Sequence, residues 1–139
     1  MPDSSKTPDP WRLRVRTTEA LLALVAARCA LALVPLKAWQ GRLGLAGEAS
    51  DTAMRQARKL AQHVDRAALR LPFACKCLPR AMALSRMLRM RGLPHRVIIA
   101  VRPAGARGGG DDLHAWVEMG GTIVLGDLPG PWVPVLILP

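Results

Sequence analysis

The chain has 139 residues, the length of one domain, and half of its residues are hydrophobic, which excludes extended disorder. Three cysteines and no evident signal peptide exclude the disulfide framework of a secreted protein and favour a reducing cytoplasm. The net charge of +10 divides into +13 over residues 1–102 and −3 over residues 103–139. The first part therefore has either an anionic partner or an arginine-rich solvated surface.

The N-terminal part of the chain, residues 12–72, is predicted to be helical. The polar, proline-containing residues 1–11 that precede it are expected to be a disordered lead-in. An apolar run predicts a mostly buried helix from Thr17 to Pro35. This run is slightly shorter than a membrane span, and Arg28 at its centre would cost about 2.5–3.5 kcal/mol on insertion. Contact with a membrane surface is therefore a minor alternative.

Two further helices are predicted after a short helical piece near residues 37–43. Ser50 can cap the first of them, in which apolar residues recur at i, i+3, i+4 and i+7 and which ends at Pro72. The second runs from about Leu78 to Arg91 and ends at Gly92, which a Leu-Pro stop follows. Both helices carry arginine on the faces that the apolar residues leave free.

The C-terminal part changes from helical to strand patterns. Residues 97–101 form a β-branched run, and residues 113–118 and 122–125 flank a Gly-Gly turn. Residues 133–138 predict a fourth strand, which Pro134 places at a sheet edge. Helices followed by antiparallel strands predict an α+β domain, in which a helical N-terminal part packs on a small antiparallel sheet. Residues 12–139 are thus expected to form one domain, with a helical part at residues 12–72 and the candidate catalytic core at residues 73–139.

Three residues of this C-terminal part form a candidate catalytic set. Cys77 precedes the third helix, where the helix dipole and open backbone N–H groups favour a thiolate. His114, on the second predicted strand, can accept the thiol proton, and Asp127, after the third, can orient the imidazole. The order Cys, His, Asp suits a papain-like or transglutaminase-like nucleophile. Each residue also has an ordinary structural interpretation as a buried thiol, a packed histidine or a turn aspartate.

Three other acidic residues are alternatives to Asp127. Glu118 shares the face of His114 but lies four residues along the strand, about 13 Å away, too far for a hydrogen bond. Asp111 and Asp112 lie in a glycine-rich loop, a poor support for an imidazole. Asp127 is the preferred acid.

Five further residues have possible chemical roles. Cys75 is an alternative nucleophile, or one half of a metal pair with His63 or His95, but Cys-x-Cys is not the usual zinc spacing, so no metal is predicted. Cys29 is expected to pack in the core and His95 to lie at the surface. Trp116, on the face of the candidate base, either lines the active site or covers the sheet.

The segments CLPRAMALSRMLRMRGLPHRVIIAVRP, HAWVEMGG and VLGD resemble the leader-peptidase subunit of lasso-peptide biosynthesis, a bacterial transglutaminase-like family that includes the microcin-processing proteins. The apolar segment ALLALVAARCALALVPLKAW also resembles the N-terminal region of this family, so the resemblance covers residues 12–138. The Cys-Leu-Pro-Arg and His-Ala-Trp-Val-Glu motifs are specific in combination. The resemblance implies a transglutaminase-like cysteine peptidase with Cys77 as nucleophile, His114 as base and Asp127 as orienting acid.

The resemblance also implies the substrate and the partners. The substrate would be a ribosomally made lasso precursor, from which the leader is cleaved, and a separate cyclase would close the core. Some family members begin with a leader-recognition domain, for which residues 1–16 leave no room, so a separate recognition protein is expected. No cofactor is implied. The alternative is a non-enzymatic basic helical module that binds nucleic acid or an anionic membrane surface, although no recognition motif or aromatic platform supports nucleic acid.

Overall fold

Three helices and a four-stranded antiparallel sheet make up the computed structural model of the chain, which describes residues 10–33, 35–38, 40–72, 76–106 and 112–139. The helices are α1 (Pro10–Leu33), α2 (Asp51–Arg70) and α3 (Cys77–Met90), with short 3₁₀ turns at Leu36–Ala38, Gln40–Arg42 and Ala104–Ala106. The strands are β1 (Arg96–Val101), β2 (Leu113–Met119), β3 (Thr122–Leu125) and β4 (Val133–Leu138), in the order β3-β2-β1-β4. The predicted α+β class is confirmed.

The main core lies between α3 and the sheet, with α1 and α2 packed on α3. Strand β2 shows how the two sides of the sheet differ. Its residues Ala115 and Val117 are buried in the main core, whereas Trp116, which alternates with them, packs with Ile98 and Ala100 in a second, smaller cluster. Alternation along a strand therefore separates the helix-covered face from the face that carries His114.

Helix α2 forms as the sequence predicts. The Ser50 hydroxyl accepts a hydrogen bond from the Ala53 N–H at 3.1 Å, which caps the first turn. The apolar stripe that includes Leu60 and Val64 is buried in the core. Strand β4 takes the predicted edge position, and its register with β1 shifts near Pro134, which has no N–H to donate to the ladder.

Helix α1 differs from its prediction in two ways. It begins at Pro10 rather than Thr17, so the last two residues of the expected lead-in are helical, and residues 1–9 lie outside the described residues. It is also buried on one side only: Leu22 is 67% exposed and Leu33 is 83% exposed. Cys29 lies on the outer side and is exposed, so its predicted core position is wrong. From Ala20 to Leu33 every residue except Arg28 is apolar, so the sequence pattern does not show which side of the helix faces the core.

A buried polar cluster joins the chain before α2 to α3 and β1. The Gly44 N–H donates to the Ser85 hydroxyl at 3.0 Å, and this hydroxyl lies 2.7 Å from His95 Nε2. His95 Nδ1 lies 2.8 Å from the Leu93 carbonyl, which can only accept, so Nδ1 carries the proton and Ser85 donates to Nε2. The predicted surface position of His95 is wrong, since the residue is 3% exposed. Burial lowers its pKa, and the ring stays neutral.

None of the helices within the described part of the chain has both the length and the apolar character needed to cross a membrane.

Candidate active site

Cys77 is the first residue of α3, and its side chain is half-buried. The residue before it, Lys76, is the N-cap and makes no side-chain capping hydrogen bond, and the first turn contains no acidic residue. The first backbone N–H groups of a helix have no partner inside the helix, and among the described residues those of Cys77 and Leu78 make no hydrogen bond to another backbone group. The sulfur therefore lies in an electropositive position at the end of a helix dipole.

The structure brings the three predicted site residues into one cleft. Cys77, His114 and Asp127 all line a cleft of about 800 Å³. The Cys77 thiol donates a weak hydrogen bond, at 3.9 Å, to the carbonyl of Leu113, the residue before the candidate base. Among the described residues, no hydrogen bond joins this thiol to the imidazole. Nucleophile–base hydrogen bonds are often long in unliganded structures and tighten when substrate binds.

The backbone of Gly126 fixes the orientation of His114, which is itself buried. His114 Nε2 lies 2.5 Å from the Gly126 carbonyl. Because a carbonyl only accepts, Nε2 carries the proton of the neutral ring and Nδ1 is left as the acceptor. Gly126 has φ +85°, and a Cβ at this position would lie 2.9 Å from the Ala115 carbonyl oxygen. Only glycine places its carbonyl here without strain.

The carboxylate of Asp127 does not contact the imidazole in the way that the Gly126 carbonyl does. Its side chain is exposed, and within the described residues it has no hydrogen bond to His114. Of the alternative acids, Glu118 accepts a hydrogen bond from the Trp116 indole N–H at 2.9 Å. Asp112 is half-buried, and its backbone carbonyl accepts a hydrogen bond from the backbone N–H of Arg102. Asp111 lies outside the described residues. The predicted acid thus lies next to the group that holds the imidazole.

A comparison with protein families matches the model described as the transglutaminase-like superfamily to residues 20–134, more than four fifths of the chain. The chain belongs to the transglutaminase-like superfamily. No curated protein and no solved structure matches it. The superfamily includes cysteine peptidases and transglutaminases, which agrees with a thiol at a helix N-terminus beside a strand histidine.

One aromatic residue of this transglutaminase-like site was not predicted from the sequence. Trp132 lines the cleft, and its ring centroid lies 5.1 Å from that of His114. Trp116 is 5.8 Å from the same imidazole, but it packs with Ile98 and Ala100 and covers the sheet, which decides between its two predicted roles. The available signal for Trp132 was its position directly before the edge strand, close behind the candidate acid in the sequence.

Basic side chains outnumber acidic ones in the lining of the cleft. Among the described residues, the charged side chains of the lining are those of Arg28, Lys76, Arg80, Arg102, Asp65 and Asp127. Asp65 pairs with Arg80 at 3.3 Å, so these two charges offset each other and the rest of this set stays net positive. An acidic substrate segment would therefore meet complementary charge.

The other two histidines are engaged in structural contacts. His63 Nδ1 lies 3.2 Å from the Thr17 hydroxyl, and His95 belongs to the cluster with Ser85. Among the described residues, no group of three or more His, Cys, Asp or Glu side chains is arranged to hold a metal ion. Cys75, the other half of the considered metal pair, lies outside the described residues.

Proposed function

We propose that this chain is a cysteine peptidase that cleaves the leader from a ribosomally made lasso-peptide precursor. The observation that carries the chemistry is the position of Cys77 at the uncapped start of α3, in one cleft with His114, whose Nε2–H is bonded to Gly126. The substrate class is supported by the combined Cys-Leu-Pro-Arg and His-Ala-Trp-Val-Glu motifs.

In the proposed reaction, Cys77 Sγ attacks the scissile carbonyl carbon while His114 Nδ1 accepts the thiol proton. The C–N bond then breaks, the proton passes to the leaving amine, and a thioester remains on Cys77. His114 next takes a proton from water, whose oxygen attacks the thioester, and the departing sulfur recovers that proton. The backbone N–H of Cys77, at the start of α3, is the proposed donor for the oxyanion.

Asp127 is the proposed orienting acid. It follows the carbonyl that holds His114 and lines the same cleft, so its charge acts on the imidazolium formed during attack. The Gly126 carbonyl already fixes the tautomer of the neutral ring, so the proposed orienting role of Asp127 applies to the charged ring.

The test is cleavage of a synthetic precursor, whose sequence is taken from a short reading frame beside this one and whose products are identified by mass spectrometry. Cys77→Ala should abolish cleavage. Cys75→Ala is the matched control, since it removes a thiol two residues away and should leave most of the activity. If Cys75→Ala is inactive and Cys77→Ala is active, the assignment of the nucleophile is wrong.

We further propose that the enzyme acts in the cytoplasm with a separate leader-recognition protein and a lasso cyclase, and without a cofactor. A tethered delivery protein raises the effective concentration of the scissile bond at Cys77 to about the millimolar range. The gain should appear mainly in kcat/KM, because delivery binds the ground state and the transition state alike. The measurement is a cleavage time course with and without the recognition protein at several precursor concentrations. Equal rates throughout would mean that this chain reads the leader alone.

A further inference from the structure

An indole ring lies against the candidate base. The ring of Trp132 is tilted by 33° to the imidazole of His114, with the centroids 5.1 Å apart, a contact distance for aromatic rings. Trp132 lies six residues after Gly126. One loop therefore supplies both the carbonyl that accepts the Nε2–H and the ring that contacts the imidazole.

The indole is itself held from several sides. Its Nε1–H donates to the Leu128 carbonyl at 3.2 Å, within the same loop. The guanidinium of Arg102, the residue after β1, lies 4.4 Å from the ring centroid, which is a cation–π contact. The ring also packs against the cluster formed by Ile98, Ala100 and Trp116. Contacts to a loop carbonyl, a cation and the sheet give the indole a defined position.

We propose that Trp132 is a positioning residue, which keeps the His114 imidazole in the orientation that donates Nε2–H to Gly126 and presents Nδ1 to Cys77. The terminal torsion of a histidine is broad, so one hydrogen bond leaves the ring free to tilt, and a fixed neighbour restricts it. His114 is 7% exposed, so its Nε2–H hydrogen bond lies in a low-dielectric environment, in which such a bond is stronger. This inference rests on the proposed function for the identity of the base, but not on the lasso substrate.

The test compares Trp132→Leu with the conservative Trp132→Phe, both in a Cys75→Ala background, by iodoacetamide labelling of individual cysteines read by mass spectrometry. A positioned base contributes about 10²–10⁴-fold, so Trp132→Leu should slow Cys77 labelling by about tenfold or more. Cys29, exposed on α1, is the internal control and should label at the wild-type rate. Trp132→Phe should restore most of the Cys77 rate, because it keeps an aromatic ring on the imidazole.

Two further measurements separate positioning from structural support. In precursor cleavage, Trp132→Leu should lower kcat by about 10²-fold, the effect of a small misplacement of a catalytic group, with KM changed less than about twofold. In the wild type, ¹⁵N NMR should find the neutral His114 protonated on Nε2, a result that depends on no variant.

Several outcomes would overturn the proposal. A proton on Nδ1 of His114 or unchanged Cys77 labelling in Trp132→Leu would contradict it. Equal slowing of Cys29 labelling, or loss of cooperative urea unfolding in Trp132→Leu, would assign the indole a structural role only. If labelling follows the expected pattern in a protein that cleaves no lasso precursor, the positioning role is supported and only the proposed substrate is contradicted.

Discussion

Replacing Ser85 with alanine removes one oxygen from the middle of a buried hydrogen-bond chain. Ser85 is fully buried, and its hydroxyl accepts from the Gly44 N–H and donates to His95 Nε2. Gly44 has φ +78°, and a Cβ there would overlap the carbonyl of Pro139, so this turn has no room to move toward another partner. The substitution therefore leaves one buried donor and one buried acceptor without partners.

The magnitude follows from these two groups. A buried polar group that loses its partner costs about 1–3 kcal/mol, so the loss of two partners in Ser85→Ala should lower the free energy of unfolding by about 2–6 kcal/mol. A domain of ordinary stability has about 5–15 kcal/mol in total. The variant should therefore remain folded in buffer but unfold at a clearly lower urea concentration.

The assay is urea denaturation followed by circular dichroism, with Ser50→Ala as the matched control. Ser50→Ala deletes the same atom, but from the N-cap of α2, where the loss is typically about 1 kcal/mol. The difference between the two variants measures the effect of burial. If Ser85→Ala loses no more stability than Ser50→Ala, then Gly44 and His95 find other partners, and the hydrogen-bond chain does not contribute as argued.

Three other predictions concern the site and the buried histidines. Asp127→Asn should keep the cleavage rate within about tenfold of wild type, because the Asp127 carboxylate is exposed. Removal of a buried orienting acid lowers kcat by about 10⁴-fold, and a loss of that size would indicate a direct bond from Asp127 to the imidazole. Lys76→Asp should add a cap to α3 and raise the free energy of unfolding by about 0.5–2 kcal/mol. The same substitution should slow iodoacetamide labelling of Cys77, because it places a negative charge beside the sulfur. Faster labelling of Cys77 would contradict this prediction. Burial is the main cause that lowers the pKa of both His63 and His95 in the folded protein. Below pH about 6.5 the histidines of the unfolded chain therefore bind protons that the folded protein does not bind. The free energy of unfolding should fall by up to about 1.4 kcal/mol per pH unit for each histidine. Urea denaturation between pH 5 and 8 measures this slope, and a flat profile would refute it.

Local signals in the sequence were enough for most elements of the fold. Ser50 has a capping side chain, and the residues after it separate cleanly into an apolar and a basic face, so α2 was placed correctly. The strands are short and bounded by glycine or proline, which fixes their ends. Helix α1 was less predictable because nearly every residue from Ala20 to Leu33 is apolar. Its buried residues, such as Ala20 and Leu24, face α2 and α3, and only the tertiary packing selects that side over the one that carries Leu22.

The site was predictable to the extent that its residues belong to motifs. Cys77 and His114 each lie in a short, distinctive segment, and the structure places both in one cleft. The contribution of Gly126 is a backbone carbonyl at a positive φ, which no residue identity reveals in advance. Trp132 precedes β4 and contacts an imidazole on β2, two strands away in the sheet, and such a contact depends on the path of a whole loop. These two groups are the part of the site that required coordinates.

His95, directly before β1, and His114, on β2, differ in a way that explains why one can be catalytic and the other is structural. His95 and His114 each direct one ring N–H to a backbone carbonyl, of Leu93 and Gly126 respectively, which fixes the tautomer of each neutral ring. In His95 the second nitrogen accepts from the Ser85 hydroxyl, so every polar atom of the ring is engaged and none is left to accept a proton. In His114 the second nitrogen has no hydrogen-bond partner among the described residues, and the ring lines the cleft that contains the thiol. A buried acceptor without a partner is unfavourable for stability. Its retention in the cleft that contains the Cys77 thiol is what proton transfer from this proposed nucleophile requires.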